Sequence, residues 1–419
     1  MKVLIISHTP ITTHESMGKT FLSLFSAFAP SELCQLYIYP SLPDIPACGA
    51  YYRITDKDVL KSYPFRRVHG QETSPSPEGA RLFENQEDEA LYRNRKNKTP
   101  LRMLLRDTMW RFSRWYSKEL RAFVEREKPS VIFVAPGSAK FLYDIALRIA
   151  RDYNLPIVTY ICDDFYFVKP PRSLLGRLQL SLLRKKVRRL LEASRDVVVI
   201  CPSLKSEYEK IGPVATVIMT GASGETAAAP QEKEPMGITY MGNIRCNRYL
   251  SLLEIGKTLD RLNEEKSTEF TLDIYGIETD ESILAALREA RSIRFHGFVS
   301  GEEYTRVYES AALFLHTEAF DSESVDLVRH SVSTKIADCL ASGVPLLAYG
   351  PAEIASMRHL LDNNCAICAT SKEDLYDALS CALFDEQARQ VATENALRTA
   401  EAFHSRQRNS ELLRDALNK

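Results

Sequence analysis

Short apolar runs bounded by turn residues alternate along this chain with longer stretches of helical periodicity. This alternation is typical of parallel strands joined by helical crossovers, so it predicts an α/β fold. The pattern occurs in two series, which predicts two doubly wound, Rossmann-like sheets. The first series of predicted strands is Lys2–Ser7, Leu36–Tyr39, Val131–Ala135, Ile157–Ile161 and Asp196–Cys201, and the second is Gly237–Met241, Phe270–Tyr275, Ile293–Phe295, Ala312–His316 and Pro345–Ala348.

The length of the chain indicates how the two series are divided. At 419 residues it exceeds the size at which a single hydrophobic core keeps growing, so two domains facing a central cleft are expected. Ala222–Met236 lacks apolar periodicity, which is typical of a linker. We predict a first domain at 1–222, a linker at 223–236, a second domain at 237–395, and a closing helix at 396–419 that returns to the first domain. The irregular stretch Gln71–Thr99 is interpreted as a mobile surface insertion.

Charge and cysteine usage argue against several classes of protein. The 54 basic and 55 acidic residues give no overall field for nucleic acid. The nine cysteines are odd in number and scattered, which favours a reducing cytoplasm over a secreted disulfide framework. Cys365 and Cys368 form a lone CxxC pair, interpreted as buried thiols. No apolar run approaches the roughly 20 residues of a membrane-spanning helix, so any membrane contact is expected to be peripheral.

Two positions in the first half follow predicted strands. Gly18 precedes an amphipathic helix, where it either lets backbone amides approach a phosphate or serves helix-start geometry. It is not part of a P-loop, since that motif needs a glycine where the sequence has Thr13. Asp163 and Asp164 follow the fourth strand, and either orient acceptor hydroxyls and act as a base, or cap a helix or pair within the loop.

The second half carries a denser set of candidates. Its first strand leads into Gly242, Asn243, Arg245 and Arg248, and arginines at a strand-to-helix turn suit a diphosphate. Solvent exposure is the alternative for Arg245. Gly242, Gly276 and Gly297 each follow a strand, where glycines let a nucleoside base lie against the main chain, although turn geometry explains any one of them.

A cluster of polar residues opens a later helix. Ser333, Thr334 and Lys335 lie at its N-terminus, the natural place to hold phosphate oxygens. Asp338 lies one turn further on, near the face of Lys335, where a carboxylate can accept hydrogen bonds from ribose hydroxyls. Gly343-Val344-Pro345 then ends the helix. The alternative is a helix cap with a local salt bridge.

These residues resemble the retaining GT-B glycosyltransferases that build bacterial polysaccharides and glycolipids, over nearly the whole chain. The segment from Ser333-Thr334-Lys335 to Gly343-Val344-Pro345 is similar to the family's Pro-Thr-Lys-x-x-Glu-Tyr-x-Ala-x-Gly-x-Pro pattern. The resemblance implies a GT-B fold, with an acceptor-side first domain and a nucleotide-sugar second domain. It implies that Arg248 and Lys335 neutralise the donor diphosphate and that Asp338 binds the ribose. Together with the positions argued above, the predicted catalytic residues are Arg248, Lys335, Asp163 and Asp164, and the predicted donor-binding residues are Gly18, Gly242, Asn243, Arg245, Gly276, Gly297, Ser333, Thr334 and Asp338.

The chain departs from the family pattern at three positions. Asp338 takes the place of the ribose-binding glutamate, His330 stands where many relatives have a second acidic residue, and Asn243 stands where some have arginine. Glu318, Asp321 or Glu323 can substitute for the missing acid.

The resemblance implies transfer of a sugar from a nucleotide sugar to a glycan or lipid-linked acceptor with retention of anomeric configuration. Arg248, Lys335 and helix amides would stabilise the leaving diphosphate. No metal or cofactor is required by this scheme, and domain closure is expected. The alternatives are a nucleotide-sugar epimerase of the same fold and a catalytically degenerate binding or scaffold subunit.

Two basic segments of the first half indicate where in the cell the protein could act. Arg93–Arg121 and Arg172–Arg195 combine cations with aromatic or leucine side chains, a pattern of helices that lie on anionic bilayers. The alternative is a pair of helices that cover the sheet with solvated basic sides. The predicted location is the cytoplasm, with peripheral contact at the inner face of the membrane.

Overall fold

The structure is a computed structural model, and it describes residues 1–13, 16–62, 68–76, 99–213, 215–224, 226–227, 229–231, 233 and 237–419. The chain divides into two compact units. The first comprises Met1–Met219 with Arg406–Lys419, and the second comprises Thr220–Ser405. Each unit is built on its own parallel-stranded sheet, which confirms the predicted α/β class with two doubly wound, Rossmann-like halves.

The first unit contains an eight-stranded sheet among its described residues, in the order β4-β3-β2-β1-β5-β6-β7-β8. Its strands are β1 Val3–Ser7, β2 Leu33–Tyr37, β3 Ala50–Arg53, β4 Gln71–Thr73, β5 Val131–Ala135, β6 Ile157–Ile161, β7 Ser194–Val199 and β8 Ala215–Val217. All neighbours are parallel except β4, which pairs antiparallel with β3. Strand β1 is buried along its whole length and pairs with β2 on one side and β5 on the other, so the chain reverses direction across the sheet between β1 and β5.

The helices of the first unit connect successive strands of this sheet. They are α1 Ser16–Leu24, α2 Asp56–Ser62, α3 Pro100–Phe112, α4 Lys118–Glu127, α5 Lys140–Tyr153, α6 Leu174–Ala193 and α7 Pro202–Tyr208, with the closing helix α16 Arg406–Asn418. Their starts follow local chemistry. Ser173, for example, caps α6 by accepting a hydrogen bond from the Gly176 backbone at 3.1 Å.

The second unit contains a six-stranded parallel sheet among its described residues, in the order β11-β10-β9-β12-β13-β14. Its strands are β9 Gly237–Met241, β10 Thr271–Tyr275, β11 Ile293–Gly297, β12 Phe314–Thr317, β13 Leu346–Tyr349 and β14 Ile367–Ala369. The chain runs outward from β9 through β10 to β11, and then returns to the other side of β9 at β12. The reversal point of this sheet therefore lies between β9 and β12.

The helices of the second unit pack on its sheet. They are α8 Arg248–Lys266, α9 Glu281–Leu287, α10 Glu302–Ser310, α11 Ser322–Val328, α12 Thr334–Ala341, α13 Ala355–Asp362, α14 Leu375–Phe384 and α15 Glu386–Phe403. Alternate residues of β9, such as Ile238 and Tyr240, are buried in one core with side chains of α8 and α14. Residues of α12 form a second core with α13 and α15.

Several boundaries differ from those expected. Strand β2 begins at Leu33 instead of Leu36, because the run 33–37 pairs residue by residue with β1. Strand β12 is shifted to Phe314–Thr317, where it pairs with β13. The predicted insertion at 71–99 begins with β4, and its residues 77–98 lie outside the described part of the chain.

The chain passes between the two units at different residues from those expected. It does so at Met219/Thr220 and at Ser405/Arg406. Helix α15 therefore belongs to the second unit, and only α16 returns to the first, where Arg414 binds Glu32 at 2.8 Å. Part of the predicted linker at 223–236 also lies outside the described residues.

Candidate active site

The carboxyl ends of β9 and β12 form the reversal point of the second sheet. Open α/β sheets bind ligands at this position, because the loops from the two strands diverge there and leave a crevice. The loop after β9 contains Gly242, Asn243 and Arg245 and leads to Arg248, the first residue of α8. The loop after β12 begins with Glu318. Residues that are 70 positions apart in sequence therefore lie side by side.

Arg248 and Glu318 form a two-point ion pair at this crevice. Arg248 Nε donates to Glu318 Oε2 at 2.8 Å, and Nη2 donates to Oε1 at 3.0 Å. The side chains are 15% and 4% exposed. Burial lowers the pKa of Arg248, but the Glu318 carboxylate raises it by more, so the guanidinium stays charged. Fork geometry of this kind fixes the plane of the guanidinium as well as its position.

The remaining guanidinium nitrogen of Arg248, Nη1, faces Asn243. Nη1 donates to Asn243 Oδ1 at 3.0 Å, and Tyr240 holds the Asn243 carbonyl with a hydrogen bond of 2.7 Å from its hydroxyl. These contacts use three of the five N–H donors of Arg248, which leaves two without a partner among the described residues. The ion pair is electrically neutral, so Arg248 offers directed donors at this crevice with its charge already balanced by Glu318.

Two further contacts join the loops. Asn247 Nδ2 donates to Asp321 Oδ2 at 3.0 Å, and Ser251 Oγ donates to the Glu318 carbonyl at 2.9 Å. Cys246 and Asn247 both have left-handed backbone conformations, with φ of 54° and 55°. For residues other than glycine this conformation costs about 1 kcal/mol or more each, and such strain persists where surrounding contacts hold it.

A buried histidine lies behind the ion pair. His316 Nε2 is 3.1 Å from Ser356 Oγ and 3.6 Å from Glu318 Oε1. Burial lowers the pKa of His316, with Glu318 opposing and Arg248 adding to that effect, so the imidazole is neutral near pH 7. Among the described residues, the charge of the Glu318 carboxylate is therefore balanced by Arg248.

Helix α12 brings the second set of predicted residues. It connects β12, through α11, to β13, so its N-terminus lies at the carboxyl edge of the same sheet. Ser333 is its N-cap and makes no side-chain cap hydrogen bond, and Thr334 and Lys335 follow in the first turn. The hydroxyl of Ser333 therefore does not cap the helix, and it lies at a helix N-terminus, a position that favours anions.

Asp338 has partners within the chain. Its carboxylate accepts hydrogen bonds from the Ser223 backbone at 2.5 Å and from the Ser223 hydroxyl at 3.4 Å. The predicted ribose-binding group is therefore engaged by the segment that follows the chain crossing at residues 219–220.

The predicted glycines have structural causes in the protein itself. A Cβ on Gly276 would collide with the Gly242 carbonyl, and Gly297 has a φ of 80°. The Gly276 backbone donates to the Gly297 carbonyl at 2.9 Å, so the turns after β9, β10 and β11 stack against one another. A Cβ on Gly18 would lie 2.5 Å from the Thr12 carbonyl, which explains this glycine by helix-start geometry.

Asp163 and Asp164 follow β6 in the first unit. Asp164 Oδ1 accepts hydrogen bonds at 2.9 Å from the backbones of both Tyr166 and Phe167, so the turn interpretation accounts for this residue. Asp163 is exposed at the carboxyl edge of the sheet. The structure thus separates two neighbouring carboxylates that the sequence could not distinguish.

A polar network that the sequence alone did not reveal lies at the reversal point of the first sheet. Arg106 on α3 binds Asp56 on α2 at 3.0 Å, and its Nη2 lies 3.3 Å from Nε2 of His8, which directly follows β1. Trp110 Nε1 also donates to Asp56 at 2.7 Å. The position of His8 after the first strand was the available signal, but its partners lie on helices and give no pattern in sequence.

No group of three or more His, Cys, Asp or Glu side chains that could hold a metal ion occurs among the described residues. Burial raises the pKa of both Cys365 and Cys368 to about 12, which agrees with their interpretation as ordinary thiols.

Comparisons with known proteins bear on the class of the molecule. Residues 256–414 match a family model described as glycosyl transferase-like. No curated protein matches the sequence. Among solved structures, Anabaena HepE in complex with UDP aligns with a TM-score of 0.63 at 10% identity, over 100% of both chains. Sucrose-phosphate synthase from Thermosynechococcus elongatus aligns with a TM-score of 0.59 at 12% identity, over 99% of this chain and 98% of that one.

A third structure, an α,α-trehalose-phosphate synthase from Burkholderia xenovorans in complex with glucose-6-phosphate, aligns with a TM-score of 0.59 at 12% identity, over 99% of this chain and 100% of that one. At such identities the structural likeness shows the fold, which is GT-B. The matched domain in the second half is glycosyl transferase-like, and the predicted resemblance to GT-B glycosyltransferases is confirmed.

Proposed function

We propose that this glycosyltransferase takes a sugar from a nucleoside diphosphate sugar held at the β9/β12 crevice of its second unit, and transfers it with retention to a glycan or lipid-linked acceptor. The observation that carries the proposal is the convergence of two helix N-termini, those of α8 and α12, at one edge of one sheet. Helix N-termini present unpaired amides and partial positive charge, which suit a diphosphate.

A nucleoside diphosphate sugar is proposed as the donor on two grounds, the ligands of similar solved structures and the side chains at the crevice. The Anabaena structures contain UDP, and one of them contains UDP-glucose. In this chain Lys335 would place its ammonium group on the diphosphate, beside Arg248, whose charge Glu318 balances. Arg248 would supply its two remaining N–H donors in a fixed plane, while Ser333 and Thr334 add hydroxyl donors.

The stacked glycine turns after β9, β10 and β11 are proposed to receive the nucleoside. Side chains are absent at Gly242, Gly276 and Gly297, so a flat base can approach the main chain there. Asp338 could bind ribose hydroxyls only after exchanging its hydrogen bonds to Ser223 for bonds to the ligand.

In the proposed reaction the bond between the anomeric carbon and the diphosphate oxygen breaks while the acceptor hydroxyl oxygen forms a bond to the same carbon. Negative charge develops on the leaving phosphate oxygen, which takes up the proton that the acceptor hydroxyl loses. Lys335 and the amides of α12 stabilise that charge where it forms, which is the largest catalytic effect available to such a site. The nucleotide sugar is the substrate, and the proposal needs no separate cofactor.

The acceptor is proposed to bind at the first unit. Asp163, exposed at the carboxyl edge of the first sheet, is the candidate to orient an acceptor hydroxyl. A lipid-linked acceptor would place the enzyme in the cytoplasm with peripheral contact at the inner face of the membrane. No helix within the described part of the chain is long and apolar enough to cross a bilayer.

The test is a titration of the intact protein with a panel of nucleoside diphosphates, followed by thermal unfolding. We expect one of them to raise the midpoint, as preferential binding to the folded state requires. A panel without any effect would refute the donor site. Incubation with nucleotide sugars then separates the alternatives, since an epimerase yields a new nucleotide sugar without acceptor and a degenerate subunit binds without turnover.

A further inference from the structure

Helices α3 and α6 of the first unit pack together and turn apolar side chains outward. The contact between them includes a hydrogen bond from Gln179 on α6 to Asp107 on α3 at 3.3 Å. On α3 the exposed apolar residues are Leu101, Leu105 and Phe112, whose spacing places them on one stripe of the helix. On α6, Leu174 and Leu178 are one turn apart, and Leu174 is 83% exposed.

The exposed charges of these two helices are cations apart from one carboxylate, Glu192, near the C-terminal end of α6. The other charged residues exposed on α3 are Arg102 and Arg111, and those exposed on α6 up to residue 189 are Arg177, Lys185, Arg188 and Arg189. We call these residues, with the five apolar ones, the α3/α6 surface. An ordinary solvated helix face mixes both signs of charge and exposes few leucines.

A basic cavity of about 420 Å³ adjoins this surface. It is lined by Tyr166, Pro170, Arg177, Leu180, Ser181, Arg184, Lys185 and Arg188. Its arginines bind neutral oxygens instead of carboxylates. Arg177 donates to the Pro171 carbonyl at 3.2 Å, and Arg184 donates to the carbonyls of Tyr166 and Val168 at 2.6 and 3.0 Å.

These contacts hold the arginines in place without cancelling their charge. Arg177, Arg184, Lys185 and Arg188 form no ion pair with any carboxylate of the described chain. A fixed cluster of positive charge therefore stands beside exposed leucines. Phosphate next to hydrocarbon is the chemistry of a phospholipid surface.

We propose that the α3/α6 surface binds an anionic lipid bilayer, with its leucines and Phe112 in the headgroup layer and a lipid phosphate in the cavity. The purpose of this contact rests on the proposed lipid-linked acceptor. The position of the α3/α6 surface is consistent with such an acceptor, because α6 begins after the loop that follows β6, at the carboxyl edge where the first sheet is expected to bind its ligand.

The test is sedimentation of the full-length protein with vesicles. One set contains phosphatidylcholine alone, and the other contains phosphatidylcholine with phosphatidylglycerol. We expect binding to the anionic vesicles that weakens as salt is raised, and none to the neutral ones. The double variant Arg177→Gln/Lys185→Gln should lower the partition coefficient by about 30-fold. Leu174→Ser/Leu178→Ser should lower it by at least about ten-fold.

Matched controls lie in the second unit, where Val391 is an exposed apolar residue of α15 and Arg288 and Arg398 are exposed arginines. Val391→Ser and Arg288→Gln/Arg398→Gln should sediment like the parent. Equal sedimentation of the control and α3/α6 variants, or no sedimentation with anionic vesicles, would overturn the proposal. The parent and the same variants are also assayed for RNA binding. RNA binding by a parent that does not bind vesicles, lost in the α3/α6 variants, would likewise overturn the proposal.

The same preparations are titrated with nucleoside diphosphates to keep the two proposals separate. A nucleotide-induced rise in the unfolding midpoint without vesicle binding would overturn the lipid surface alone. Vesicle binding without that rise would overturn the donor site alone.

Discussion

Arg248, at the start of α8, and Glu318, at the end of β12, hold each other through two hydrogen bonds of 2.8 and 3.0 Å across the reversal point of the second sheet. This pair decides the electrostatics of the candidate donor site. Since Glu318 neutralises Arg248, the pair itself adds no net charge to meet a diphosphate, and Lys335 and the N-terminus of α12 are proposed to contact the diphosphate as well.

Substituting Arg248 and substituting Glu318 should lower the free energy of unfolding by different amounts. Arg248→Met leaves the Glu318 carboxylate buried without a counter-charge, and should lower the free energy of unfolding by about 3–5 kcal/mol. Glu318→Gln keeps one acceptor for Arg248, which is more exposed, and should cost less. Chemical denaturation of both variants measures this. If Glu318→Gln lowered the free energy of unfolding as much as Arg248→Met, or more, then Arg248 would not be the main group that stabilises the Glu318 carboxylate.

Lys335→Ala should weaken binding of the nucleoside diphosphate with the fold intact. Loss of one hydrogen bond to a charged group corresponds to about 1.5–3 kcal/mol, or roughly a ten- to hundred-fold rise in Kd. Isothermal titration calorimetry measures it. Lys257→Ala, at an exposed lysine paired with Glu289 on another part of the same unit, is the control and should bind like the parent. An unchanged Kd for Lys335→Ala would remove this residue from the donor site.

Gly276→Ala should destabilise the second unit by about 2 kcal/mol or more, because its Cβ would press on the Gly242 carbonyl, a backbone atom held by the neighbouring turn. Gly224→Ala is the control, since a Cβ there meets nothing within 4 Å. Thermal unfolding of both variants tests this prediction. A parent-like midpoint for Gly276→Ala would mean that the turns are not stacked as described.

The second unit should lose stability as pH falls below about 6.5, the ordinary pKa of histidine. His404 Nδ1 lies 2.8 Å from the Thr220 carbonyl, and its Nε2 lies 3.0 Å from His359 Nε2. The carbonyl requires a hydrogen on Nδ1, so Nε2 of His404 accepts from His359, and both imidazoles are neutral. Burial lowers the pKa of His359 to about 3 and that of His404 to about 4.

The unfolded chain therefore binds up to two more protons than the folded one between about pH 4 and 6. Folding stability should fall with decreasing pH by at most about 2.7 kcal/mol per pH unit from this pair. Denaturation at pH 7, 6 and 5 measures the slope, and the double variant His359→Gln/His404→Gln should flatten it. A parent slope that this variant leaves unchanged would assign the acid sensitivity to other groups.

The sequence alone determined what depends on neighbours along the chain. Val3–Ser7, buried along its whole length, and Gly237–Met241, buried at alternate residues, were recognised as strands because both burial patterns depend on residues that are close in sequence. Gly276 and Ser333 were singled out because turns and helix starts have short-range chemistry. These signals were sufficient for the α/β class, for two sheets, and for locating most of the strands.

The tertiary structure alone decided which of these local features meet. Strand order places β12 beside β9, which brings Glu318 to Arg248, 70 positions apart. The packing of α15 in one core with α13 brings His404 to His359, 45 positions apart. Many strand orders bury the same apolar residues, so hydrophobic periodicity cannot select among them. Charge partners at the sheet edge depend on that choice, which is why the sequence identified Arg248 but not the carboxylate that holds it.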